Sequence, residues 1–171
     1  MNAILPICTV GYLLRQMDGR KEIHLGLKAA TEKAVRRKIA GKLLGYGGDF
    51  EPHVDLTIKE SFLRELRAES GFDADPRDVE TMAKVLILDE TGPRLWLYWL
   101  LARRWTGRAT ANREFDSYGW YPTDPLPENI LGADKLVLPR ILKGEKLEGS
   151  VEYDRDMNVV SSEFATVDSI Q

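Results

Sequence analysis

The stretch Thr57-Ile58-Lys59-Glu60-Ser61-Phe62-Leu63-Arg64-Glu65-Leu66-Arg67-Ala68-Glu69-Ser70-Gly71-Phe72 decides how the chain is read. Thr57 followed three residues later by Glu60 fits a capping box, in which the threonine oxygen accepts from the Glu60 amide and the glutamate reaches back. A helix therefore begins here. It ends near Ser70, because Gly71 supplies the left-handed residue that commonly closes a helix and Asp75-Pro76 starts a turn soon after. At about 100° per residue Ile58, Phe62 and Leu66 fall on one side, and Glu65 and Glu69 project along the same stripe. Two acids four apart repel by roughly 0.2–0.5 kcal/mol, and no Lys or Arg stands three or four positions from either. Something outside the helix must compensate them. Mg²⁺, which takes one or two carboxylates together with waters and phosphate oxygens, meets that need. The alternative is that both acids lie at the stripe edge and pair with a distant lysine.

Upstream, Ile7–Leu14 is β-branched or apolar and is separated by Asp18-Gly19 from Glu22–Leu27, which reads as a two-stranded hairpin. Residues 28–42 are basic and weakly patterned, and with Gly45-Tyr46-Gly47-Gly48 they read as one long functional loop. Downstream, Ala83–Leu88 and Leu95–Ala102 are apolar on both faces, as central strands are, with Thr91-Gly92-Pro93 turning between them. Tyr118–Tyr121 is a further short strand, Pro122, Pro125 and Pro127 enforce an extended linker, a helix runs from Glu128 to about Leu142, and Leu147–Val167 adds a hairpin. The reading is α/β: a mixed central sheet with the 58–70 helix on one side and the 128–142 helix on the other.

The 171 residues suit a single domain spanning 1–171. With 24 basic and 27 acidic residues the net charge is -3, which gives no global field for duplex nucleic acid, so any phosphate binding is local. Cys8 is the only cysteine, which excludes an internal disulfide and a thiolate metal cluster and fits a reducing cytosol. The N-terminal stretch has no basic flank, carries Pro6 and lacks a cleavage pattern, so no signal peptide is expected; no apolar run approaches the ~18 residues of a membrane span. His24 and His53 lack partners for zinc or a triad and read as structural or solvent-facing. The Arg36-Arg37-Lys38 run is a solvated face that, close to the glycine loop, would also assist triphosphate docking.

Gly47-Gly48, followed by Arg64-Glu65-Leu66-Arg67-Ala68-Glu69-Ser70-Gly71-Phe72, resembles the Nudix box, the loop–helix–loop phosphohydrolase motif written GX5EX7REUXEEXGU. Arg64, Glu65, Leu66, Glu69, Gly71 and Phe72 occupy the expected places. The first half departs: Gly48 precedes Arg64 by sixteen positions where the pattern has fourteen, Leu56 stands in place of the upstream glutamate, and Ala68 replaces the first of the paired acids. Glu51 and Asp55 are both candidates for the missing upstream acid. Ile23–Lys28, Leu44–Gly48, Trp120-Tyr121 and Asp134–Gly144 are in turn similar to the MutT-like branch of the family, that of the oxidised purine nucleoside triphosphatases. From about Ile7 to Val159 the chain is covered by this resemblance.

The resemblance implies a Nudix α/β/α sandwich and a metal-dependent hydrolase that splits a nucleoside triphosphate, or another nucleoside diphosphate-linked compound, to the monophosphate and pyrophosphate, as in clearance of damaged nucleotides. Glu65 and Glu69 become Mg²⁺ (or Mn²⁺) ligands and Arg64 the residue that orients the box carboxylates. Glu114 completes the site, with Asp116 as its rival, and Lys28 faces phosphate. Gly47, Gly48 and Tyr46 line the substrate, the last by stacking, and Asp134 reads the base, although Ala133 and Leu44 stand where two further base-reading side chains are expected. The partner is a small nucleotide, with no membrane and no duplex nucleic acid, and the protein is a cytoplasmic monomer or homodimer. Two alternatives remain open: the same fold acting on nucleotide sugars, dinucleoside polyphosphates or capped RNA, and a nucleotide-binding module that has lost catalysis.

Overall fold

The run beginning at Ile7 is apolar on both alternating faces because, in the computed structural model, both faces are covered. The structure describes residues 4–171; residues 1–3, the start of the stretch weighed above as a leader, lie outside it. Strand β1 (Ile7–Met17) places Tyr12 and Leu14 in one buried cluster and Leu13 in the other. Its first half, Ile7–Leu13, runs parallel to β6 (Gly92–Ala102), and only Leu14–Met17 forms a hairpin with β2 (Arg20–Lys28). The hairpin expected over the whole of both segments is thus confined to its tip, where Asp18 and Gly19 both have positive φ, as a tight two-residue turn requires. A strand apolar on both sides belongs inside a sheet, next to another strand of the same kind.

Strand β5 (Val79–Asp89) pairs antiparallel with β6 and parallel with β9 (Lys146–Tyr153), and β10 (Val159–Val167) closes that edge antiparallel to β9. Beyond β1, β2 carries both β3 (Leu43–Leu44) and β8 (Phe115–Pro122), each antiparallel. The sheet is mixed, with the order β10-β9-β5-β6-β1-β2 before it branches. The two-residue strands β4 (Phe72–Asp73) and β7 (Thr106–Gly107) pair separately.

The alternation of β6 shows that the sheet is covered on both faces. Trp99 and Leu101 join the cluster that holds Val137, Leu138 and Ile141 of helix α3 (Gly132–Ile141), while Tyr98, Leu100 and Ala102 join the cluster that holds Phe62, Leu63 and Leu66 of helix α2 (Ile58–Ser70). This is the expected α/β/α sandwich. Helix α3 starts four residues later than its sequence suggests, because Asn129 is clamped to the β3 region: the Leu43 amide donates to the Asn129 carbonyl at 2.9 Å and the Asn129 amide side chain donates to the Gly41 carbonyl at 2.6 Å. The supposed 28–42 loop contains a short helix, α1 (Glu32–Arg36), capped by the Thr31 hydroxyl, which accepts from the Ala34 amide at 3.1 Å. No helix among the described residues is long and apolar enough to cross a membrane.

Residues 45–48 run antiparallel alongside β1: Gly11 and Tyr46 exchange two backbone hydrogen bonds, of 2.7 and 2.9 Å, and the Thr9 amide donates to the Gly48 carbonyl at 2.9 Å. A Cβ at Gly47 would lie 1.9 Å from the Thr9 carbonyl oxygen, which is backbone and cannot move aside alone. Gly47→Ala is therefore expected to lose about 1–3 kcal/mol of stability through overpacking. A chemical denaturation midpoint equal to that of the wild type would show that β1 and this loop are not held together as described.

Candidate active site

Helix α2 begins at the capping box, in which the Thr57 hydroxyl accepts from the Glu60 amide at 3.1 Å. The Glu60 side chain reaches back one residue further than the motif requires, accepting from the Leu56 amide at 2.9 Å. The helix ends at Gly71 with φ 79°, the left-handed conformation that a residue without Cβ adopts most easily. Between these ends Phe62 and Leu66 are fully buried, which fixes the helix's rotation about its axis. Glu65 and Glu69, three and seven positions past Phe62, are carried to the rim of that buried face, towards the glycine loop.

Arg64 settles which acid replaces the missing upstream glutamate. Its Nε and Nη2 donate to the two carboxylate oxygens of Asp55 at 2.9 and 2.8 Å, a bidentate pair, while Glu51 lies 3.5 Å away and is mostly exposed. The same guanidinium donates to Glu65 Oε1 and to the Asp49 carbonyl. Arg64 thus ties the loop before the helix to the first box acid, and it holds the buried Asp55 carboxyl down to about 2. Leu56, the residue at the family's acidic position, is 85% exposed and points away from this network.

Glu65 lies against Gly48, whose added Cβ would come within 3.1 Å of the glutamate Cδ. Glu69 Oε2 accepts from the Gly47 amide at 3.4 Å. Burial pushes the Glu69 carboxyl up to about 8, against the lowering pull of Lys28 and with a further push from Glu65. Lys28, itself buried, donates to Glu114 at 2.5 Å and stands 4.8 Å from the Phe115 ring centre. Lys28, Gly47, Gly48, Glu65, Glu69 and Glu114 line one cleft of about 400 Å³. Ala68 lines it too, leaving open space where a second acid of the box would stand. The rival acid Asp116 does not line this cleft.

Two expected substrate residues are elsewhere. Tyr46 is fully buried, with its hydroxyl 2.6 Å from His24 Nδ1 and its ring among His24, Phe115 and Tyr118, so neither ring face is left for a base. Burial lowers His24 to about 4, which keeps the imidazole neutral beside that hydroxyl. Asp134 belongs to the opposite face of the sheet: 3% exposed, it accepts from Trp99 Nε1 at 2.9 Å. The fully buried Tyr12 hydroxyl bears on the same carboxylate but makes no well-formed hydrogen bond. The first turn of α3 turned this acid inward because Ala133 and Val137 pack into the same core. Sequence reading passed over Asp49 and Lys33, which also line the cleft together with Arg37. Lys33 was detectable only through α1, whose Thr31 cap was overlooked among the basic residues.

Among the described residues no three His, Cys, Asp or Glu side chains converge into a ready-made metal cage. The donor set nevertheless fits Mg²⁺, which needs only one or two carboxylates when phosphate and water supply the rest. A buried acid such as Glu69, with no cation directly upon it, carries a desolvation cost that a bound divalent ion would offset.

The fold is that of the MutT/Nudix hydrolases. A mutator MutT protein from Bacillus halodurans superposes with a TM-score of 0.71 at 22% identity, covering 94% of this chain and 97% of that one. A MutT Nudix hydrolase from Burkholderia pseudomallei gives 0.62 at 20% identity, covering 81% and 99%. The Nudix domain of Shewanella oneidensis NrtR, solved with ADP ribose, gives 0.56 at 15% identity, covering 82% and 88%. No protein-family model matches the chain, and no curated protein matches it in sequence.

Burial raises Asp134 from 3.8 to about 6, so the folded state favours the protonated acid. Its contribution is greatest below about pH 4, declines as pH rises through 6 and is flat above, a change of about 3 kcal/mol. Asp134→Asn keeps the acceptor for Trp99 and offers the Tyr12 hydroxyl a donor. The stability of the variant relative to wild type is expected to rise by that amount between about pH 4 and pH 6; a flat difference curve in denaturation would show that this carboxyl is not buried as described.

Proposed function

We propose that the chain is a pyrophosphohydrolase of phosphorus-containing anhydrides that, with Mg²⁺ or Mn²⁺, converts a nucleoside triphosphate to the monophosphate and pyrophosphate. Removal of non-standard nucleotides from a cytoplasmic pool is the role such a reaction would serve. The observation that carries this reading is the convergence of Glu65, Glu69, Glu114 and Lys28 on one cleft floored by Gly47 and Gly48. The fold of MutT/Nudix hydrolases supports it, and the neighbour solved with ADP ribose, itself a nucleoside diphosphate compound, is consistent with a ligand of that class.

A divalent ion held by Glu65 and Glu69 would neutralise charge on the phosphate oxygens and acidify the attacking water. The protein's own groups do the positioning. Arg64, locked by Asp55, presents Glu65 in one orientation rather than several. The Gly47 amide donates to Glu69 and fixes which oxygen faces the loop. Lys28, with its stem buried and its ammonium on Glu114, exchanges that half-exposed carboxylate for a substrate phosphate. With no reacting group supplied by the protein beyond these, rate comes from placement and electrostatics, as in phosphoryl transfer generally. Tyr46 and Asp134, sealed in the core, leave base recognition to other residues of the cleft.

Release of pyrophosphate and nucleoside monophosphate from a panel of nucleotides is the direct test. Glu65→Gln and Glu69→Gln are each expected to reduce the rate of the preferred substrate by roughly 10²–10⁴-fold, and Glu69→Gln, which removes a carboxyl disfavoured by burial, is expected to leave the thermal midpoint near or above that of wild type. Tight nucleotide binding without turnover in Mg²⁺ or Mn²⁺ would assign the fold to a binding module instead. Sugar phosphate as the product would move the substrate to a nucleotide sugar.

A further inference from the structure

The segment between β2 and β3 carries more charge than the acid cluster requires. Lys33 and Arg37 are one helical turn apart on α1 and its C-cap, and both line the cleft. Lys28, not this pair, is the cation that acts most strongly on Glu69. Instead both converge on one carboxylate oxygen of Asp49, at 3.6 and 3.8 Å. Those distances exceed a hydrogen bond and contrast with the 2.8 Å contact of Arg64 to Asp55. The other Asp49 oxygen accepts from the Cys8 thiol at 3.1 Å. One acid is therefore shared loosely between two cations.

The arm that carries these cations is anchored at both ends. Lys28 and Gly41 exchange close backbone contacts, the Lys28 amide donating to Lys42 and the Gly41 amide to Lys28, each at 2.8 Å. Ala29 donates to the Glu114 carbonyl at 2.9 Å, and Asn129 grips Gly41 at 2.6 Å. Lys33 and Arg37 are thus presented on a fixed base, so binding an anion there orders little backbone. The cleft then has two separate cationic points: Lys28 beside Glu69 and Glu114, and the Lys33–Arg37 pair beside Asp49.

We propose that Lys33 and Arg37 form a second phosphate subsite, held by Asp49 as a resident counter-anion until substrate displaces it, that selects substrates carrying a further terminal phosphate beyond the scissile diphosphate. The position of the scissile linkage rests on the pyrophosphohydrolase reading above; the pairing of the two cations with Asp49 does not. A triphosphate whose scissile diphosphate engages Lys28 carries one further phosphate for the Lys33–Arg37 pair, whereas a diphosphate carries none. Asp49 also opposes anions too weakly charged to replace it, which sharpens the choice.

Calorimetric binding of an α,β-imido nucleoside triphosphate and of the matching α,β-imido diphosphate to the full chain, at fixed Mg²⁺, tests this without turnover. The double variant Lys33→Gln/Arg37→Gln is expected to bind the triphosphate analogue about tenfold more weakly, the scale of two part-exposed ion pairs, with the diphosphate analogue changed less than about threefold. Asp49→Asn is expected to tighten the triphosphate analogue a few-fold. Equal weakening of both analogues, or no weakening of either, overturns the subsite. A chain that shows this selectivity yet hydrolyses no nucleotide ends the hydrolase reading and leaves the subsite standing. A chain that hydrolyses triphosphates while the double variant keeps wild-type selectivity does the reverse.

Discussion

Holding a carboxyl group out of water beneath the Gly45–Gly48 loop is the constraint on which the site depends. Glu69 is carried there by a helix whose rotation is set by Phe62 and Leu66 and whose end is fixed by Gly71. The loop above it can approach because Gly47 has no side chain to strike Thr9. The consequence is electrostatic: the acid's ionised form is disfavoured by burial and only partly supported by Lys28. Such an arrangement weakens folding unless a ligand repays it, and that cost is characteristic of functional sites.

Arg64 adds a mechanical link. Its bidentate grip on Asp55 joins the irregular 49–57 segment to the helix, and its further contact to Glu65 passes that rigidity to the cleft. The acid that answers Arg64 is Asp55, one position before the exposed Leu56. Spacing alone left Glu51 and Asp55 equal. Burial separates them, since a guanidinium shared with an enclosed carboxylate loses less to solvent than one shared with an exposed glutamate.

Local signals carried much of the architecture. The capping box, the closing glycine and the doubly apolar strands each specify structure within a few residues; the helix lies where its sequence places it, while the two strands begin earlier, at Val79 and Gly92, so that Gly92 and Pro93 belong to β6 and not to the turn. What escaped was long-range. The parallel partnership of β1 with β6 depends on strands some ninety residues apart, and the late start of α3 depends on Asn129 meeting Gly41. The inward turn of Asp134 likewise depends on Trp99, on a strand 35 positions earlier, offering an indole N–H inside the core. A polar residue in a familiar place says little until its neighbours across the sheet are known.

The charge distribution follows the same logic. A chain of net charge -3 repels nucleotides at a distance, so attraction has to be built at short range. Here cations stand among the acids they serve: Lys28 on Glu114, Arg64 on Asp55 and Glu65, Lys33 and Arg37 on Asp49. Each pairing spares a charge from being left alone at the edge of a low-dielectric cleft. They differ in length and enclosure. The short, enclosed contact of Arg64 with Asp55 is part of the frame. The contacts at Asp49 are longer and more exposed, so they hold Lys33 and Arg37 less firmly.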